Sequence, residues 1–275
     1  MEDQQQAAES SSLKNGDIMK MENLDIELVY IEAGGFVMGD NEVEIQKPAH
    51  EVSIANGYWM GKYPVTQAQY QEVVGENPSY FQKGLKLSEG FLGFGGKSIK
   101  EDTFKCPVEQ ISLNHAESFC KCLTSLEKSA GRLPEGYEYR LPTESEWEFA
   151  AQCGTEHSDN KFSGSNNIND VAWYDENSNN RTHPVGELAP NELGLYDMCG
   201  NVWEWCLDDW HSNYNEAPLD GSCWGEGKGV TRVFRGGGWS SIAEYCTLRN
   251  RYYLAPGFTF DFLGFRIALG RILKK

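Results

Sequence analysis

The chain has 275 residues and carries 24 Lys+Arg against 41 Asp+Glu, a formal charge of −17 with a sequence pI near 4.7. That balance is the reverse of the basic footprint of a nucleic-acid-binding protein, so no nucleic-acid partner is expected. With 40% hydrophobic residues the chain can bury a real core in one large or two small domains, and no apolar run approaches the ~18–20 residues of a membrane-spanning helix.

The first residues, MEDQQQAAESSS, are acidic and polar where a signal peptide would be basic and then apolar. Residues 1–24 read as a polar flexible tail and residues 25–275 as a single α+β domain. A cell-surface or extracellular protein is expected if a leader preceded residue 1. The 29 glycines and eight tryptophans imply many tight turns pinned by large side chains, since glycine averages only ~7% of residues.

Short strands are predicted at Leu28–Ile31, Gly35–Met38, His50–Ile54, Tyr58–Gly61, Thr231–Arg235 and Gly264–Leu269, from β-branched or aromatic alternation bounded by Gly or Pro. Three helices are predicted from their caps. Thr66 with Gln69 opens one; Asn114 with Glu117 opens another, with Ala116, Phe119, Leu123 and Leu126 on one stripe and a stop at Gly131; Thr143 with Glu146 opens the third, which stops at Gly154. The stripes read as core faces and the capping carboxylates as structural.

Few motifs point to catalysis. The five histidines (His50, His115, His157, His183, His211) form no H-E-x-x-H, and G-x-S-x-G, P-loop and G-x-G-x-x-G fingerprints are missing. The eight cysteines include no C-x-x-C pair, and Cys120 and Cys122 would point about 200° apart on a helix, poor geometry for one zinc. In LYDMCGNVWEWCLDDW, Asp197 and Glu204 bracket a Gly-Asn turn whose carbonyls, at Gly200 and Val202, would complete an all-oxygen site for a hard cation such as Ca²⁺. The same run also reads as a turn locked by Trp203 and Trp205 with salt-bridged acids. No cofactor is required by the sequence; a structural Ca²⁺ is the one candidate.

In order, GGFVMGD, MGKYPVTQAQY, CPVEQISLNHAESFC, YRLPTESEWEFAA, NELGLYDMCGNVWEWCLDDW, RVFRGGGW and LGFRIAL resemble the successive signatures of the formylglycine-generating-enzyme/sulfatase-modifying-factor family. The resemblance implies a variant of the C-type lectin-like fold, irregular and Gly/Trp-rich, with a calcium site formed in part at Asp197, Gly200, Val202 and Glu204. The catalytic members use two cysteines that bind copper(I), for which thiolates are the fitting ligands. By the family spacing these positions are Ser241 and Cys246. A hydroxyl cannot replace a thiolate on Cu(I), so the oxidase activity is disfavoured. The E-P-N or Q-P-D loop and W-N-D strand of a calcium-dependent sugar lectin are missing as well.

Within the family, the RV-x-RGG-x-W … LGFR frame at the C-terminus resembles the variable proteins of diversity-generating retroelements, which are altered by adenine-specific mutagenesis of AAY codons. Residues 232–268 would be the variable segment. Its candidate ligand-binding positions are Phe234, Ser240, Ser241, Ile242, Tyr245, Tyr252, Tyr253, Leu254, Ala255, Phe258, Phe260, Asp261 and Phe262. All are encodable by NNY, which excludes Glu, Gln, Lys, Met and Trp; Glu244 fails that test and is left out, while Gly238 and Thr247 would need a different template codon. Phe258, Phe260 and Phe262 also fit the inward face of a strand. Tyr252 and Tyr253 are adjacent, however, and point opposite ways in extended chain, so some of these aromatics must be exposed.

Tyr and Phe among Ser and Gly is the composition of antibody combining sites. The expected function is therefore non-catalytic binding of a variable protein or surface ligand by a monomer. From Arg232 to Lys275 there are eight basic and two acidic residues, against 16 and 39 in the rest. An acidic frame thus presents a less acidic segment, and Arg235 and Arg266, which lie in the family motifs RVFRGGGW and LGFRIAL, are by that resemblance expected as buried partners of frame carboxylates and not as ligand contacts.

Overall fold

The computed structural model describes residues 13–85, 98–156, 159–225 and 229–273. Strands β1 (Ile18–Met21), β2 (Ile26–Ile31), β3 (Gly34–Met38), β4 (His50–Ile54) and β5 (Tyr58–Gly61) come first. Helices α1 (Gln67–Val74) and α2 (Leu113–Ser129), strand β6 (Tyr137–Arg140) and helix α3 (Glu144–Ala151) follow. The rest comprises α4 (Ile168–Val171), β7 (Ala172–Trp173), β8 (Cys199–Gly200), β9 (Trp203–Asp209), β10 (Arg232–Arg235), β11 (Arg251–Leu254), β12 (Leu263–Gly264) and β13 (Ala268–Arg271).

Two sheets dominate: an antiparallel one in the order β1-β2-β5-β13-β6 and a second in the order β11-β10-β9-β12, with β12 parallel to β9. The first sheet is covered on both faces. Ile26 and Leu28 of β2 join α2 residues Ala116, Phe119 and Leu123 in one apolar cluster, while Val29 and Ile31 join α3 residues Trp147 and Phe149 in another. Each such fully buried aliphatic side chain contributes roughly 1.5–3 kcal/mol, which is why the alternation in β2 is apolar on both sides.

The caps of α1 and α3 form as the sequence predicts: Thr66 and Thr143 accept from the N–H of Gln69 and Glu146, whose side chains return the bond. The cap of α2 differs. It is Ser112, reciprocated by His115 through Nδ1, so the cap lies two residues before the expected Asn114. The stripe is also rotated: Leu113, Cys120 and Glu127 are buried, and Leu126 is exposed. All eight residues of α3 are buried, including Glu144, Glu146 and Glu148.

Two further expectations are corrected. Gly264–Leu269 is not one strand; β12 belongs to the second sheet and β13 to the first. Between them Arg266 is fully buried, and its guanidinium donates to Gly61 O, Tyr196 O and the Glu204 carboxylate where the chain crosses. The domain also begins before residue 25, because β1 pairs Ile18 with Val29 through Met21 with Ile26. Residues 1–12 of the expected tail lie outside the described residues.

Met21 is 6% exposed and receives the Tyr139 hydroxyl at 3.4 Å on its sulfur. Met21→Ala should lower the urea-unfolding free energy by about 2–3 kcal/mol, as for other buried Met truncations, whereas Lys20→Ala, which removes a solvent-screened surface pair with Glu27, should have a far smaller effect. Equal and negligible effects would return residues 13–24 to the tail.

Candidate functional site

The site rests on carboxylates that α3 carries into the core. Glu144 accepts from Arg251 Nε at 2.8 Å and Nη2 at 2.7 Å, from Arg235 Nη1 at 2.9 Å and from the Tyr214 hydroxyl at 3.0 Å. Glu148 takes the second Arg235 nitrogen, the Gly39 N–H and Gln152 Nε2. Glu204 of β9 is held by both Arg266 nitrogens and by Trp147 Nε1. Despite complete burial, the two arginines hold the Glu144 carboxyl below the ordinary carboxylate range. Arg235 and Arg266 are thus the buried partners of frame carboxylates that their place in the family motifs implies.

Arg235 and Arg251 face each other across β10 and β11, in a register that also pairs Phe234 with Tyr252 and Val233 with Tyr253. The residue after each arginine in β11, or before it in β10, belongs to the other face of the pleat. There, Phe234 is wedged edge-on between Trp203 at 4.9 Å and Trp205 at 5.7 Å, and Tyr252 covers it at 6.2 Å with Tyr245 alongside at 5.6 Å. On the opposite face Tyr253 stacks on Trp210 at 4.6 Å. Phe258, Phe260 and Phe262 form a parallel stack, with centroids 6.3 and 4.9 Å apart, outside any strand.

Tyr252, Tyr253, Phe258 and Phe260 are 39%, 47%, 54% and 37% exposed. Ser240, Ile242 and Tyr245 are exposed as well, and Leu254, Ala255, Asp261 and Phe262 are half-buried. Two of the thirteen positions are not on the surface. Phe234 is 6% exposed because it fills the space between the two tryptophans. Ser241 is buried because its hydroxyl accepts from Trp203 Nε1 and Gly238 N. Gly238 is tightly enclosed, since a Cβ there would lie 3.1 Å from the Trp203 ring and 3.2 Å from Phe262 O, so these neighbours would have to shift by a few tenths of an ångström. Trp203 at the start of β9 and Trp210 just past its end, which support the exposed rings, lie outside the segment.

The candidate metal residues are otherwise engaged. Both Glu204 oxygens are filled by a guanidinium and an indole N–H. The Asp197 oxygens accept from Gly186 N and Asn201 Nδ2, and burial pushes its carboxyl up to about 6. Among the described residues no cluster of three His, Cys, Asp or Glu suited to a metal occurs, and Asp197 and Glu204 are held by protein donors. Cys246 is fully buried, and burial raises its thiol well above the ordinary range, the opposite of a metal-binding thiolate. Gly237, at φ 78°, allows that thiol its place; a Cβ would lie 2.6 Å from Cys246 Sγ.

Behind the phenylalanine stack lies Glu109, fully buried, which accepts from Tyr80 N at 2.9 Å and Phe81 N at 2.8 Å. Its neighbour Gln110 donates its N–H to Phe260 O. Phe81 packs edge-on against Trp239, whose indole N–H is bonded to Asp261 O. Burial, with the charge of Asp261, pushes the Glu109 carboxyl up to about 8.

A profile of the sulfatase-modifying factor enzyme 1-like domain matches residues 14–270. The chain is 34% identical over 239 residues to the Paenibacillus barcinonensis "Chaperone protein LppX", covering 78% of this chain and 79% of that one. It is 29% identical over 261 residues to the Chlamydia caviae "Serine/threonine-protein kinase pkn1", of whose length it spans only 39%. Among solved structures, "Treponema denticola variable protein 1" superposes with a TM-score of 0.76 at 30% identity, covering 92% of this chain and 98% of that one. The α+β arrangement of this chain is the C-type lectin-like fold.

Glu144→Ala leaves two arginines buried without their carboxylate and should cost about 3–5 kcal/mol in urea unfolding. Tyr253→Ser, at an exposed ring, should cost about 1 kcal/mol or less; comparable losses would make the aromatic face part of the core. Because the Glu109 pKa is raised on folding, its contribution to stability is full below the unfolded value of ~4.3 and is lost as pH rises through about 8. Stability measured at pH 5.5 and 8 should therefore fall less in Glu109→Gln than in the parent chain, and an identical fall in both would place the titration elsewhere.

Proposed function

Since the chain belongs to the sulfatase-modifying factor enzyme 1-like family and turns seven of the thirteen candidate side chains of its C-terminal segment to solvent over a buried ionic frame, we propose that it is a non-catalytic ligand-binding protein. Ser240, Ile242, Tyr245, Tyr252, Tyr253, Phe258 and Phe260 are the contact residues, with Leu254, Ala255, Asp261 and Phe262 at their margins. The carrying observation is that these rings are exposed on both faces of β11 while the arginines beside them are fully buried. Rigid aromatic side chains give large contact area at small entropic cost.

The similarity to Treponema denticola variable protein 1 supports the finer reading, that the segment is diversified by a retroelement and meets protein or cell-surface ligands outside the cell. Among the described residues no helix is long and apolar enough to cross a membrane. The family name favours one other reading, a copper oxidase of a protein cysteine. It lacks support at the site: Ser241 bonds to Trp203 in place of the first thiolate, and the Cys246 thiol is buried.

Exchanging Tyr245, Tyr252, Tyr253, Phe258 and Phe260 for other NNY-encoded residues should change which displayed targets bind, while Tm stays within a few degrees, about 1 kcal/mol for a chain of this size. Unfolding on exchange would sink the reading. A cysteine-containing peptide incubated with the protein and copper(I) should remain unoxidised; turnover that requires Cys246 would restore the oxidase.

A further inference from the structure

By composition the C-terminal segment is basic, but the fold inverts that sign at its surface. Arg232, Arg235, Arg251 and Arg266 are all buried, each against a carboxylate: Asp209, Glu144 with Glu148, Glu144, and Glu204. The charges that residues 232–266 leave at or near solvent are the exposed Glu244 and the half-buried Asp261 and Arg249. Among the described residues, exposed and half-buried acids also far outnumber exposed and half-buried bases. The face is therefore a set of aromatic rings within an acidic field.

Ring faces carry a negative quadrupole and attract cations, and an acidic field concentrates cationic partners. The protein uses this chemistry internally at the same strand: the Arg251 guanidinium carbon lies 4.4 Å from the Trp210 ring centroid and 4.2 Å from that of Tyr214. Trp210 also carries the exposed Tyr253. Resting on the reading that this face binds a ligand, we propose that the partner is a basic protein surface whose lysine and arginine side chains seat on the rings of Tyr252, Tyr253 and Phe260.

Full-length protein is used to pan a phage-displayed library of random peptides, and the recovered peptides are tested against the parent chain and against Tyr252→Ser/Tyr253→Ser/Phe260→Ser, which has the same charge. Recovered peptides should be enriched in Lys and Arg, bind the triple variant about tenfold more weakly, and weaken on raising salt to about 0.5 M. Basic peptides that bind parent and variant equally would assign the attraction to the acidic frame alone and overturn the proposal. Peptides that depend on the three rings but carry no excess of basic residues would also overturn it, while leaving the binding face intact. Failure to recover any ring-dependent peptide would remove both the proposal and the reading beneath it. Circular dichroism of the triple variant, expected to match the parent, separates these outcomes from unfolding.

Discussion

The structure depends on the carboxylate of Glu144. It lies at the first turn of α3, where the helix dipole favours a negative charge, and Asp208 accepts its backbone N–H. Burying an anion so completely is strongly unfavourable unless its oxygens are filled, and here two arginines and a tyrosine fill them. The arginines come from neighbouring strands and face each other in the ladder. One carboxylate therefore joins a helix to two strands and fixes their register. Slipping β11 by one residue would move Arg251 to the opposite face of the pleat and strand Glu144 without its partner.

That register determines what the surface displays. In β11 the sequence Arg251-Tyr252-Tyr253-Leu254 alternates about the pleat, so pinning Arg251 inward puts Tyr252 over Phe234 and Trp203, and Tyr253 on Trp210. Register and packing place the rings, with the Tyr252 and Tyr245 hydroxyls in contact with each other. Side chains at these positions are thus separable from the fold in a way that Arg251 is not, which is the property a scaffold for variable recognition requires. The phenylalanine stack is held on the same principle: Gln110 and Trp239 bond the backbone oxygens of Phe260 and Asp261, not their side chains.

Much of this was legible in the sequence where local chemistry decides. The Thr66 and Thr143 capping boxes and β4 and β5 to the residue follow from residue types and spacing, and the buried roles of Arg235 and Arg266 from their place in the family motifs. What failed was decided by distant partners. In β1, Lys20 and Glu22 hide the strand among polar neighbours, and only pairing with β2 orders it. His115 reciprocates Ser112 in a cap that the sequence offered to Asn114 and Glu117. Phe234 looked like its exposed neighbours because nothing local announces that Trp203 and Trp205 close over it. The Arg266 partner of Glu204, 62 residues further along the chain, is another contact that no local pattern announces.

Ser241 joins the chemical and the structural arguments. A thiolate at this position would be the first half of a two-sulfur site; the hydroxyl instead accepts the indole proton of Trp203 at 3.1 Å and the Gly238 N–H at 3.0 Å. Trp203, so fixed, lies edge-on to Phe234 and within 5.9 Å of the Tyr252 ring. A buried indole N–H left without an acceptor would cost about 1–3 kcal/mol, so the hydroxyl is itself part of the platform. The hydroxyl that stands where the family pattern has a thiolate therefore supplies rigidity beneath the exposed rings, and residue type and platform are joined at this one atom.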